Sequence, residues 1–252
     1  MNKISGVVIC YNEELNIRNC ILSLQKVCDE IIVLDSFSTD KTPEICNSLE
    51  VIFIQRIFDS YGVQKIAATD FATNPFILSL DADEQLSEPL INEIINLKKS
   101  EMAGAYLIPR LTNYCGEWVY YCGWYPDRKI RLWNSSLARW TSATLHETVE
   151  INSKKVLVQR LKNNIQHYSY RTVEDHYDRI EKYTNIQAET DFKKGKRTWK
   201  FKKYLSAAWK FIDIYLFKLG LMDGQTGYAI SKRSAYYQYL KLSKLYKLQR
   251  LK

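Results

Sequence analysis

Acidic groups stand where three apolar runs end. Phe76-Ile77-Leu78-Ser79-Leu80 passes straight into Asp81-Ala82-Asp83-Glu84, Ile31-Ile32-Val33-Leu34 into Asp35, and the run from Ile4 to Cys10 into Tyr11-Asn12-Glu13-Glu14. Oxygen ligands one residue apart, as in Asp81 and Asp83, can share a hard divalent cation, or one can hold the cation and the other a sugar hydroxyl. Carboxylates also accept hydrogen bonds from ribose hydroxyls and from a uracil N–H. They repel bare phosphates unless a cation intervenes, so a nucleoside diphosphate with its divalent ion suits this set. An Asp-x-Asp alone is also an ordinary acidic turn; the two earlier acidic strand ends carry the reading.

Groups of this kind need a frame that brings the strand ends together. Residues 4–10, 31–34, 51–54 and 76–80 read as strands. Between them, Ile17, Ile21, Leu24 and Cys28 mark one face of a helix, with Asn12 as its expected N-cap and acids in its first turn. Thr42-Pro43-Glu44 opens a short helix, with Thr42 as cap. Residues 61–73 form another, and Ser87 caps a fourth helix carrying Leu90, Ile91, Ile94, Ile95 and a snorkelling Lys98. This alternation predicts an α/β fold, a doubly wound, mostly parallel sheet with helices on both faces. In such sheets ligands bind at the C-terminal strand ends, where the carboxylates fall. No Gly-x-Gly-x-x-Gly follows the first strand and no Gly-x-x-x-x-Gly-Lys-Ser/Thr is present, which disfavours a dinucleotide fold and excludes a P-loop.

After a strand at 105–109, aromatic residues interleave with Gly, Asp and Arg. Trp118, Trp124, Asp127, Arg128 and Arg131 suit a sugar site, where rings stack on pyranose C–H surfaces and charged groups take hydroxyls or phosphates. Read blandly, the same residues are aromatic core and solvated arginines. From Val173 the pattern turns helical, with Val173, Tyr177, Ile180, Thr184 and Ala188 on one helix and Tyr204 to Leu219 on the next. A third helix follows the break at 220–227. His176 lies in a polar helical stretch and is expected at the surface.

The net charge of +8 is uneven: residues 1–150 hold 13 Lys+Arg against 20 Asp+Glu, and residues 151–252 hold 23 against 8. Residues 193–218 carry nine Lys+Arg and one acid, Asp213, and residues 232–252 seven and none. Basic helices rich in aromatics read either as anchors on an anionic lipid surface or as a packed subdomain with a solvated face. No nucleic-acid motif accompanies them, and no nucleic-acid partner is expected. The six cysteines show no Cys-x-x-Cys spacing and read as free thiols. No secretory leader or spanning segment is read, so the expected place is the cytoplasm.

Val7-Val8-Ile9-Cys10-Tyr11-Asn12-Glu13-Glu14, Ile31 to Thr42 and Leu80-Asp81-Ala82-Asp83-Glu84 together resemble, in order and spacing, the three signatures of family 2 glycosyltransferases of the GT-A fold. The resemblance implies that Tyr11, Glu13 and Asp35 hold the uridine, that Asp81 lies near the ribose, and that Asp83 reaches the metal on the diphosphate. Lys65 joins this donor set. His167 matches the late histidine that completes the metal shell in related enzymes. Glu147 matches the catalytic base, with His146 orienting it or serving in its place, although His-Glu stands here for the more usual Glu-Asp. Trp118, Trp124, Asp127, Arg128 and Arg131 would face the acceptor. Leu145 to Val149, Gln166 to Tyr170 and Lys218 to Gly227 further resemble the subgroup that builds the lipopolysaccharide core.

That resemblance implies an inverting transfer, dependent on Mn²⁺ or Mg²⁺, of a hexose from a UDP-sugar, with UDP-glucose the expected donor, to the inner-core heptose of a lipid-linked oligosaccharide. It would proceed on the cytoplasmic face of the inner membrane. Residues 1–172 would form the catalytic domain and 173–252 a basic helical region. The Gln-x-x-Arg-Trp block of polymerising synthases is absent. Alternatives are a family 2 transferase for another glycan acceptor, a sugar nucleotidyltransferase and a non-catalytic sugar-nucleotide binder.

Overall fold

The computed structural model describes residues 2–102, 104–142, 147–152 and 156–251. They form two compact units, one of Met1–Arg110 with Asp127–Tyr168, the other of Leu111–Pro126 with Ser169–Lys252.

The first unit begins with β1 (Ile4–Cys10), α1 (Ile17–Gln25), β2 (Glu30–Asp35), α2 (Thr42–Asn47), β3 (Ile52–Gln55), α3 (Tyr61–Asp70), β4 (Phe76–Asp81), β5 (Glu84–Leu86) and α4 (Glu88–Lys98). β6 (Ala105–Tyr114) gives it residues 105–110, and β7 (Glu117–Val119) belongs to the second unit. β8 (Asp127–Asn134), β9 (Ala138–Trp140), β10 (Val149–Ile151), β11 (Val158–Arg160) and the first residues of β12 (Ile165–Tyr170) complete it. β3, β2, β1 and β4 lie side by side and parallel, and β8 then pairs antiparallel with both β4 and β6. The fold is mixed α/β, with the parallel pairing concentrated in its first half.

Strand alternation divides the core. Ile4, Val8 and Cys10 of β1, with Phe76, Leu78 and Leu80 of β4, pack beneath Ile17, Ile21 and Leu24 of α1 and Leu90, Ile91 and Ile94 of α4. Val7, Ile32, Leu34 and Ile77 point the other way, toward Ala68 of α3 and the Trp133 and Trp140 rings. Helices therefore cover both faces, and the strands are apolar on both.

Local chemistry departs from expectation at the start of α1. Asn12 is not its cap: it adopts a left-handed φ of 54°, which Asn tolerates better than most residues. The Glu13 carbonyl accepts from Asn16 and Ile17 N–H instead, each at 2.9 Å, so the acids precede the first turn rather than occupying it. Thr42 opens α2 as its first residue rather than as its cap; Asp40 accepts from its N–H at 2.9 Å, while the Thr42 hydroxyl accepts from Glu13 N–H at 2.8 Å. Ser87 caps α4 by accepting from Leu90 N–H at 3.3 Å. Lys98 carries its ammonium to the Val27 carbonyl at 2.7 Å and to Asp29 at 2.8 Å.

The second unit sets Thr112–Tyr114 against β7 and adds α5 (Val173–Lys193), α6 (Lys202–Ile212) and α7 (Gly224–Leu248). Thr172 and Asp175 form a reciprocal capping box at the start of α5. Ala188 of α5 packs on Leu242 and Leu245 of α7. The 218–227 block has a structural use: Asp223 accepts from Tyr120 and Tyr121 N–H at 3.1 and 2.9 Å, and the Lys218 carbonyl accepts from Cys122 N–H at 3.0 Å. Gly220 and Gly227 meet so closely that a Cβ on Gly227 would lie 1.7 Å from the Gly220 carbonyl oxygen.

His176 is buried, not at the surface. Its Nδ1 lies 2.9 Å from the Tyr114 hydroxyl, and the Tyr170 ring sits 4.6 Å away. Its helix is polar in sequence, but the residue falls on the strip that includes Ile180, Thr184 and Ala188, which turns inward. All six cysteines are free.

Candidate active site

Three strand ends of the parallel sheet lie together. β1 pairs with β2 and with β4 so that Cys10 stands beside Asp35 and Ile9 beside Asp81. The loops that follow β1 and β2 are laced together. Asn12 N–H donates to the Ser38 hydroxyl at 2.8 Å, Thr39 N–H to Asn12 Oδ1 at 2.8 Å, and Glu14 N–H to Asp40 at 3.0 Å. Tyr11 stands out from this lacing, 58% exposed. Glu13 is half-buried and accepts from the Asn16 side-chain amide at 2.7 Å.

Asp35 does not present a free carboxylate. It is fully buried and accepts from Ser38 N–H at 2.9 Å, from Gln55 Nε2 at 3.0 Å and from the Ser38 hydroxyl. These bonds hold the turn after β2 in shape.

The acidic end of β4 is embedded in cations. Asp81 Oδ1 lies 2.8 Å from Lys65 Nζ and Oδ2 lies 2.6 Å from Arg131 Nη2. Burial works against the charged carboxylate, but Arg131 and Lys65 outweigh it and hold Asp81 well below the usual carboxylate range. Lys65, itself buried on α3, also donates to Glu147 at 3.1 Å and sits 4.6 Å over the Trp140 ring. One ammonium thus joins Asp81 to Glu147, residues 66 positions apart. His146 lies outside the described residues.

Arg131, expected to face an acceptor, pairs with the acids at the end of β4. It is buried, and its Nη2 donates to both Asp81 and Glu84, the latter at 2.8 Å. Glu84 is buried too, accepts from Asp81 N–H at 3.0 Å, and takes a second arginine, Arg110, at 3.0 Å. Arg110 continues to Asp127, its register partner between β6 and β8, at 2.6 Å. Arg110 and Lys129 draw the Asp127 carboxyl below its ordinary value against the opposing effect of burial. Arg128 is exposed. Neither Glu84 nor Arg110 was singled out from sequence as structurally paired; the β6–β8 register that joins Arg110 to Asp127 is set only by the fold.

Asp83 and His167 meet across β5 and β12. Tyr168 N–H donates to the Asp83 carbonyl at 2.8 Å, which brings His167 Nε2 to 3.2 Å from Asp83 Oδ2. Adjacent ligands on a six-coordinate ion with bonds of about 2.1 Å are separated by about 3.0 Å, so this pair has the spacing of two neighbouring metal ligands. Among the described residues no group of three or more His, Cys, Asp or Glu side chains gathers as a cation site, so further ligands would have to come from substrate and water.

Of the remaining acceptor-side residues, Trp118 lies on β7 in the second unit. Trp124 stacks on Tyr170 with ring centres 5.8 Å apart and lies edge-on to Tyr114 at 5.9 Å, as part of that unit's core. A cavity of about 410 Å³ opens elsewhere on the first unit, between α1, β5 and α4, and none of the acidic residues Glu13, Asp81, Asp83 or Glu147 lines it.

Residues 5–160 match the family described as glycosyl transferase family 2. An uncharacterized glycosyltransferase of Rickettsia typhi is 31% identical across 98% of this chain and 88% of its own length. The lipopolysaccharide core biosynthesis glycosyltransferase LpsC of Rhizobium meliloti is 27% identical across 99% of this chain and 94% of its own. Among solved structures, S. aureus TarS 1–349 in complex with UDP aligns over 99% of this chain and 91% of its own, at 16% identity and a TM-score of 0.48.

Proposed function

The chain belongs to glycosyl transferase family 2, and from that premise we propose that it is an inverting, metal-dependent hexosyltransferase. The donor is a UDP-sugar, UDP-glucose first among them, and the acceptor is the inner-core heptose of a membrane-borne lipopolysaccharide or lipooligosaccharide. Similarity to LpsC along nearly the whole chain supports the acceptor class. Residues 1–172 carry the chemistry, and the basic region 173–252 meets the anionic inner-membrane surface from the cytoplasmic side.

The observation that carries the reading is the chain Asp81–Lys65–Glu147, formed on the same unit as the Asp83–His167 pair. Tyr11 and Glu13 face the nucleoside, and Asp81 the ribose. Asp83 and His167 would hold the divalent cation, which when bound neutralises the leaving diphosphate. Glu147 accepts the proton of the acceptor hydroxyl. The hydroxyl oxygen bonds to the anomeric carbon as the bond from that carbon to the diphosphate oxygen breaks, which inverts the centre. Lys65 donates to Glu147 and to Asp81, which fixes where the two carboxylates stand. Arg128, exposed on the same unit, faces the acceptor.

UDP release in the presence of acceptor tests the assignment. Asp83→Ala is expected to abolish metal-stimulated release. Full activity of Asp83→Ala after chelator treatment would overturn the metal role.

A further inference from the structure

We propose that residues 199–222 form a membrane-docking surface on which α6 lies in the plane of an anionic bilayer. No residue of α6 is buried. Leu205, Trp209 and Ile212 of α6 recur at spacings of four and three, which lines them along one side of the helix, with Phe201 just before it and Leu216 in the π-helical turn Asp213–Phe217 just after, and each of the five is between 38% and 63% exposed. The segment that follows adds Phe217, Leu219, Leu221 and Met222, all exposed. The helix is not short of a packing partner. Tyr204 meets Tyr239 at 5.6 Å, and Phe211 and Tyr215 meet Tyr228 at 5.8 and 6.0 Å, so one flank of α6 already packs on α7. The apolar stripe is what remains outward, and a contiguous exposed patch of this kind marks an interaction surface.

Charge selects the partner. Nine Lys+Arg stand between residues 193 and 218 against Asp213 alone. That one acid is taken by Lys218 at 3.1 Å and Lys210 at 3.6 Å. A second copy docked on this face about a two-fold axis would bring the same lysines against each other. Anionic headgroups would instead neutralise them while the acyl boundary receives the rings, with Trp and Tyr at headgroup depth. Among the described residues no helix is long and apolar enough to cross a membrane, as an in-plane helix requires. This surface deepens the reading of a membrane-borne acceptor, and its test needs no turnover, so either can fail without the other.

The test is flotation of the full chain with phosphatidylcholine vesicles containing about one-third phosphatidylglycerol, against phosphatidylcholine alone. The wild type is expected to float with the anionic vesicles, and its tryptophan fluorescence to be quenched by brominated acyl chains. The double variant Leu205→Ser/Trp209→Ser removes only solvent-exposed side chains. With unchanged circular dichroism, it should bind about tenfold less or weaker and lose most of the quenching. Lys200→Glu/Lys202→Glu should also bind less, with a shallower salt dependence. Flotation of Leu205→Ser/Trp209→Ser at the wild-type level overturns the proposal. So does a wild type that never floats. Self-association of that wild type, abolished by the same double variant, would assign the face to a second copy.

Discussion

Glu117, Asp127 and Glu147 are carboxylates outside the β4 end with a claim to the proton, and Asp127 and Glu147 are held by different cations. Asp127 is gripped by Arg110 at 2.6 Å and Lys129 at 3.2 Å, and its carboxyl is drawn low, which makes it a weak base. Glu147 shares its cation, Lys65, with Asp81. Glu147→Gln keeps the shape and removes the basicity. It should leave UDP-sugar affinity intact and lower turnover by about 10²–10⁴-fold in a steady-state assay. Asp127→Asn should retain most of the turnover. The reverse pattern would make Asp127 the base.

At the scale of elements, α5 depends on a neutral histidine. Burial, with Arg233 and Arg179 nearby, lowers the His176 pKa from 6.5 to about 4. Protonation is therefore harder in the folded chain than in the unfolded one. The stability that His176 contributes is fully present above about pH 6.5 and is lost as the pH falls toward 4. The loss across that window should be on the order of 2–3 kcal/mol, read from urea midpoints at neutral and acid pH. His176→Gln retains a partner for the Tyr114 hydroxyl and cannot take the charge, so it should flatten the curve over that window.

For the whole molecule, the uneven charge has a division of labour behind it. The acid-rich first part carries the carboxylates at the strand ends, and the basic last part carries the apolar stripe of α6. Deleting the tail is a poor probe of that division, because α7 buries Leu242 and Leu245 against α5. Deleting the protein is a better one. Core oligosaccharide from cells without it is expected to be lighter by one hexose in mass spectrometry, and restored by the wild type but not by Asp83→Ala. An unchanged oligosaccharide would point to another glycan as acceptor.

The sequence alone determined the frame. Apolar runs ending in acids specify buried strands with carboxylates at their tips, because a strand covered on both faces must be apolar until it emerges, and the family signatures lie on those tips. Through its resemblance to the family it also pointed to Asp81, Asp83, Lys65, His167 and Glu147 as one proposed set. Tertiary structure decided how they are paired. Asp35 accepts from Ser38 and Gln55, and Arg131 donates to Asp81 and Glu84, pairings that the sequence does not announce. His176 looked exposed in a polar helix and is buried under Tyr114. In each case the partner comes from another element, far away or across a turn, and side-chain pairing of that kind is set by register and burial that no local pattern encodes. The outward stripe of α6 shows the same limit from the other side: its period announced an amphipathic helix, and only the packing of α7 against its flank left the apolar side facing out.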